Sequence, residues 1–192
     1  EYLVQDLINY SEIETNLETA LNFLDKLDIT LIAHGVLYES EKVLNDLELI
    51  EESIRVNFLS VVMFTNEISK ILIKQRNGTI AVIGSVAGDR GRQSNYIYGS
   101  SKAAVEIYLQ GLRQKLSKHR INVLCIKPGF VNTPMTKTIK KNILFVKPTV
   151  IAKDIINSIN NKKSVVYTPK YWYYIMLIIR SIPEFIFKKM SL

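Results

Sequence analysis

The chain has 192 residues, is 47% hydrophobic and carries a net charge of +7, enough length for one sizeable core and no compositional break that demands two domains. A single cysteine, Cys125, excludes an internal disulfide, fits a reducing compartment and has no Cys or His near it at metal-ligand spacing, so no metal site is expected. Residues 1–54 hold 13 acids and 2 bases and the remainder 5 acids and 23 bases, yet the lysines are scattered without a nucleic-acid reading motif, so no nucleic-acid partner is expected.

Taken in chain order, residues 1–5 read as a strand that ends at Asp6, and residues 12–27 as a helix. A β-branched and aliphatic strand follows at 28–33, then helical patterns at 41–52 and 54–74. Further strands are expected at 79–84, 121–127 and 164–167, with helices at 95–117 and 149–160 between and after them. Short, continuously apolar strands alternating with helices predict an α/β chain, in which a parallel sheet is covered by helices on both faces. The run from Tyr171 to Ile179 is apolar throughout and is followed by Arg180, Phe185, Ile186, Phe187, Lys188 and Lys189. It is too short to span a bilayer, which takes about 20 residues. It suits an interfacial anchor or the wall of a lipid-substrate entrance, or else a terminal helix packed on its own subunit or a neighbour.

Tyr98 and Lys102 lie four apart, and Ser85 precedes Tyr98 by thirteen residues. On a helix over 95–117 the phenol and the ammonium share one face. A nearby cation favours the phenolate and would bring the tyrosine down from its usual pKa of about 10, while a serine hydroxyl can hold a carbonyl or alcohol oxygen. The set contains what is needed to add or remove a proton at a substrate oxygen. The alternative is an ordinary amphipathic helix, because the stripe Val105, Leu109, Leu112 and Leu116 extends backwards through Lys102 to Tyr98.

Ser85, Tyr98 and Lys102 resemble the catalytic set of the short-chain dehydrogenase/reductase family, and Asn57 matches the asparagine that completes its tetrad. Pro128-Gly129 and Thr133 match the segment that meets the nicotinamide. Residues 28–35 match a strand that usually ends Asn-Asn-Ala-Gly; here the positions read Ile32, Ala33, His34 and Gly35. The resemblance implies a Rossmann-like doubly wound fold and hydride transfer between NAD or NADP and a carbonyl or alcohol. It further implies Asp6, Ala33, His34, Gly35, Tyr98, Lys102, Pro128, Gly129 and Thr133 as cofactor contacts, with Arg90 and Arg92 in the loop that meets the substrate. A narrower likeness, carried by Ala33-His34-Gly35, residues 84–96 and the tail from Tyr167 to Glu184, is to reductases related to decaprenylphosphoryl-2-keto-ribose reductase. That likeness implies a keto-sugar carried on a polyprenyl phosphate. His34 is expected to play a structural role at the cofactor edge.

The family opens with a strand, a Gly-rich turn and a helix that receive the cofactor pyrophosphate, and nothing before Asp6 matches them. The cluster Gly84, Gly88 and Gly91 fails as a substitute, since the pattern requires glycine where Arg90 stands. The fold is therefore expected to lack its first two strands and Gly-rich loop, as in a fragment of a longer enzyme, with residues 29–33 exposing an unpaired apolar edge. The complete enzyme is expected to be a cytoplasmic homo-oligomer with peripheral contact at the inner membrane surface. The competing expectation is a non-catalytic or incomplete chain that acts only in association or at a membrane surface.

Overall fold

The computed structural model describes residues 2–190. Four runs rich in β-branched and aliphatic residues pair as a parallel sheet in the order β1 (Ile29–Ile32), β2 (Gly78–Ile83), β3 (Ile121–Pro128) and β4 (Val165–Thr168). Ile29 stands opposite Thr79, Thr79 opposite Asn122 and Cys125 opposite Val165. Side chains alternate across the pleat. Ile80, Val82, Ile121, Val123 and Cys125 enter one core with Val61, Ile68, Leu72, Val105, Leu109, Leu112 and Leu116, while Ala81, Leu124 and Ile126 enter a second with Ile151 and Ile155. The first core belongs to helices α1 (Ile13–Leu24), α4 (Ser60–Gln75) and α5 (Tyr96–Leu116), the second to α6 (Pro148–Asn160). The sheet is thus covered on both faces, as the alternating pattern predicts.

Two element boundaries differ from the sequence reading. Residues 2–5 form no strand, and Glu1 lies outside the described residues. A strand gains its backbone partners from a neighbour, and among the described residues β1 pairs only with β2. Ile29 and Leu31 are correspondingly exposed, as expected of that edge. The helices expected at 41–52 and 54–74 resolve instead into a short α2 (Ser40–Leu44) and one continuous helix over Leu47–Gln75. Asp46 starts the long helix by accepting from the amides of Glu48 at 3.0 Å and Leu49 at 3.3 Å, satisfying donors that have no partner within the helix. The sequence offers no breaker at Ser53, so α3 (Leu47–Ile54) runs into α4 through a single π-helical segment, Arg55–Leu59. This helix is long and apolar enough to cross a membrane by length and composition alone, but Val61, Ile68 and Leu72 place its apolar side in the core.

The apolar tail forms α7 (Tyr171–Ser181), followed by the single turn α8 (Glu184–Phe187). Trp172 and Met176 are buried against Val86, and Tyr173, Tyr174, Leu177 and Ile178 face outward. The indole packs directly on Gly129: a Cβ there would stand 1.8 Å from Trp172 Nε1. Gly129→Ala must therefore displace the indole, and overpacking of this kind costs about 1–3 kcal/mol. Trp172→Ala removes a large buried side chain and should cost about 3–5 kcal/mol. Because both changes act on one contact, the double variant should be more stable than the sum of the single losses allows. Denaturant titration of all three variants checks this, and strict additivity would show that the two residues do not depend on each other.

Candidate active site

The parallel sheet delivers its strands' carboxyl ends to one side, where open α/β sheets bind ligands. A cavity of about 460 Å³ lies there, lined in part by Ala33, His34, Gly35, Ser85, Tyr98 and Lys102. Ser85 stands two residues beyond the end of β2, and its Oγ accepts the amide of Ala87 at 3.0 Å. That contact leaves the hydroxyl proton for the Tyr98 phenol or for a bound oxygen. The turn Val86–Gly88 then closes on α5, where a Cβ on Gly88 would meet the Ala103 nitrogen at 2.8 Å. Gly88 serves this close approach, which brings Ser85 towards Tyr98.

Burial dominates the electrostatics. Lys102 is almost wholly buried, its Nζ lies 5.8 Å from the centre of the Tyr98 ring, and it donates to the carbonyl of Ile83 at 3.0 Å. Loss of hydration lowers the lysine to about 8, against a smaller opposing effect of Cys125. Burial likewise raises Tyr98 above its ordinary value, and only its hydrogen bonding with Ser85 works the other way. The expected depression of the tyrosine by Lys102 is not met, because removal from water disfavours the phenolate more than its polar neighbours favour it.

Asn57 sits within the π-helical segment, fully buried. Its Oδ1 accepts the Val36 amide at 2.8 Å and its Nδ2 donates to the Val36 carbonyl at 2.8 Å, so the side chain clamps the loop after β1. A Cβ on Gly35 would lie 2.8 Å from Asn57 Oδ1 and 3.5 Å from Lys102 Nζ. Glycine therefore lets the loop pass Asn57 closely, while Lys102 would be in ordinary contact. His34 Nε2 lies 2.6 Å from Ser60 Oγ, and the serine spends its own proton on the Val56 carbonyl at 2.7 Å. The histidine must then be the donor through Nε2, which leaves Nδ1 unprotonated in the neutral ring. Burial first, and the Lys102 charge second, lower His34 to about 4, so it is neutral at ordinary pH.

Pro128, Gly129 and Thr133 also line the cavity, and so does Arg92, but Asp6 and Arg90 do not. Asp6 accepts the Ile8 amide at 3.0 Å in a local turn. The guanidinium of Arg90 is held by the α7 carbonyl of Ile179 at 2.7 Å, by the Ile182 carbonyl and by Glu184 at 3.0 Å, and it stacks 3.7 Å over the Phe187 ring. The substrate role expected of Arg90 is therefore not supported: C-terminal carbonyls of a helix attract a cation, and this one is already committed to them.

The sequence reading also missed a buried cluster beside the cavity. Lys127 pairs with Asp89 and with Glu106 at 2.6 Å, and Tyr167 donates to Asp89 at 2.7 Å. Burial alone would lower Lys127, but the two carboxylates raise it well above the usual lysine value. The cluster ties the loop after Ser85 to β3, α5 and β4.

The depressed Lys102 has a consequence for stability. The unfolded lysine titrates near 10.5 and the folded one near 8, so between these values the unfolded chain binds more protons and stability rises with pH. Below pH 8 the full burial cost applies. Lys102→Met should accordingly stabilise the fold near neutrality by about 1–3 kcal/mol, with the advantage shrinking as pH rises towards 10.5. Denaturant titrations across that range test this; a methionine variant less stable than the parent at neutral pH would show that the ammonium carries no such cost.

Residues 1–144 match the family model described as short chain dehydrogenase, and the chain belongs to that family. It is 27% identical over 160 residues to an uncharacterized oxidoreductase of Mycobacterium tuberculosis, covering 83% of this chain and 64% of the relative. It is 25% identical over 139 residues to a 3-oxoacyl-[acyl-carrier-protein] reductase of Bos taurus, covering 72% of this chain and 59% of that one. The chain thus spans less than two thirds of the length of these relatives. A short chain dehydrogenase from Burkholderia cenocepacia, solved in complex with NADP, superposes with a TM-score of 0.85 at 16% identity, over 99% of this chain and 78% of that one. The superposition shows a shared fold.

Proposed function

We propose that this chain, as a short chain dehydrogenase, carries the catalytic half of an NAD- or NADP-dependent reductase that converts a carbonyl into an alcohol. The observation that carries this reading is the Lys102 ammonium, buried beside Tyr98 with a single protein acceptor, the Ile83 carbonyl, among the described residues. An ammonium has N–H bonds to spare in that position, and ribose hydroxyls of a nicotinamide cofactor are suitable acceptors. The residues fit such a group: Gly35 leaves the space that a Cβ would fill, and Ala33, His34, Pro128, Gly129 and Thr133 line the same cavity. When bound, the cofactor supplies the hydride.

The chain's own residues manage the oxygen. The Tyr98 hydroxyl donates its proton to the substrate oxygen, while Ser85 holds that oxygen with the hydroxyl proton its Ala87 contact leaves free. Lys102 adds positive charge beneath the phenol as its proton leaves, and Asn57 positions the loop that carries Gly35. General acid catalysis by one positioned group is worth about 10²- to 10⁴-fold. Tyr98→Phe should lose turnover on that scale in a continuous NADPH assay while keeping cofactor affinity close to that of the parent. Near-normal turnover by the phenylalanine variant would remove Tyr98 from the chemistry.

A lipid-linked carbonyl, such as a keto-sugar on a polyprenyl phosphate, is the substrate class we favour. The cavity has an aliphatic side built from Met135, Ile139, Ile151 and Ile155, and the outer face of α7 leaves Tyr173, Tyr174, Leu177 and Ile178 exposed between Lys170 and Arg180. Apolar and aromatic side chains flanked by cations suit the surface of an anionic bilayer, from which such a substrate would be drawn. In flotation with phosphatidylglycerol vesicles the enzyme should rise with the lipid. Leu177→Glu with Ile178→Glu should abolish this, whereas a parent that stays with the soluble fraction removes the membrane contact.

A further inference from the structure

The charged groups that line the cavity are Lys102 and Arg92; no carboxylate does so among the described residues. Lys102 is accounted for above, but Arg92 is not. Its Nε is buried without a hydrogen-bond partner, and its guanidinium forms no ion pair among the described residues. The carboxylate whose charge acts on Arg92, Asp89, is already divided between Lys127 and the Tyr167 hydroxyl. Burial lowers Arg92 and Asp89 offsets this only in part. A half-buried guanidinium left in this way costs free energy unless something else pairs with it.

A second unpartnered group lies three residues on. Asn95 also lines the cavity, and its Oδ1 is buried with no donor. It occupies the N-cap of α5, yet its side chain makes no capping bond there, although capping is the usual use of asparagine at that position. The first turn of α5 contains no acidic residue, so its free amides add positive potential at the same end of the cavity. One cation lacking an anion and one residue with an unpaired acceptor therefore line a common cavity beside Tyr98, Asn95 also bordering a small second pocket.

We infer that Arg92 and Asn95 form the recognition subsite for an anionic, hydroxyl-bearing carbonyl compound, with Arg92 pairing the anionic group and the Asn95 side-chain amide hydrogen-bonding a hydroxyl. The inference rests on the reductase reading for the identity of the reacting carbonyl, but the subsite itself rests on the two unpaired groups. It separates Arg92, which meets substrate, from Arg90, which is bound to the C-terminal helix. A guanidinium suits this role because its forked donors match phosphate and carboxylate oxygens in pairs.

The test compares fructose 6-phosphate with fructose, by calorimetry on enzyme saturated with NADP and by turnover with NADPH. The parent should bind the phosphorylated sugar about 10- to 100-fold more tightly than the neutral one, as expected of charge-assisted hydrogen bonds. Arg92→Gln should erase that preference, Arg92→Lys should retain part of it, and Asn95→Ala should weaken both sugars alike. Arg92→Lys also guards against a glutamine variant that fails to fold. Equal affinity of the parent for the two sugars, or a preference unchanged in Arg92→Gln, overturns the subsite. Binding does not require turnover, so a preference for phosphate without reduction of fructose 6-phosphate would keep the subsite and leave the reductase reading to the Tyr98→Phe test.

Discussion

The removal of one ammonium group from water organises this molecule. Lys102 lies on the stripe of α5 that elsewhere carries Val105, Leu109, Leu112 and Leu116, so the helix buries a cation at a register its neighbours fill with aliphatic side chains. Burying a charge without an opposite charge is unfavourable, and the fold answers with a dipole, the carbonyl at the end of β2, not a carboxylate. A paired lysine would be more stable and would also be fixed in charge. Burial without a carboxylate partner lowers the lysine to about 8, where its proton can respond to what binds. The π-helical segment, the Asn57 clamp on Val36 and the bare Gly35 are the means by which the surrounding chain approaches that group closely enough to shield it. A π-bulge at such a place follows the general association of these irregularities with function.

The sheet was legible because its strands are short, continuous β-branched runs, and the candidate site was legible through the ordered resemblance of Asn57, Ser85, Tyr98 and Lys102 to the family's set, since the spacing of Tyr98 and Lys102 alone suits an ordinary amphipathic helix equally well. Residues 2–5 were misread for a physical reason. Their composition suits a strand, but a strand exists only beside another, and residues 2–5 pair with none among the described residues. The pKa of Tyr98 was misjudged because sequence proximity to Lys102 is visible whereas the depth of burial is not.

Lys127 offered a signal that went unused. A lysine inside a continuously apolar strand requires a partner, and the chain beyond residue 54 contains only five acids. Each of them is engaged: Glu67 with Lys70, Asp89 and Glu106 with Lys127, Asp154 with the Thr168 hydroxyl and Glu184 with Arg90. In so basic a region a carboxylate has little reason to remain unless a particular cation or donor holds it. Scarcity of one charge is therefore structural information, and it would have directed attention to Asp89 and hence to the loop after Ser85.

That loop is also where the C-terminal helix gains its position. Arg90 takes the carbonyls at the end of α7 and the Glu184 carboxylate, while at the other end of the helix Trp172 rests on Gly129 in the cavity wall. The helix is thus fastened at both ends to segments that also line or border the cavity, with its outer apolar face left open. Asp89 and Arg90 are adjacent in sequence but divided in task, one anchoring the loop to the sheet and the other anchoring α7 to the loop. Arg92, two residues further along the same loop, is left as the cation that these anchors do not consume.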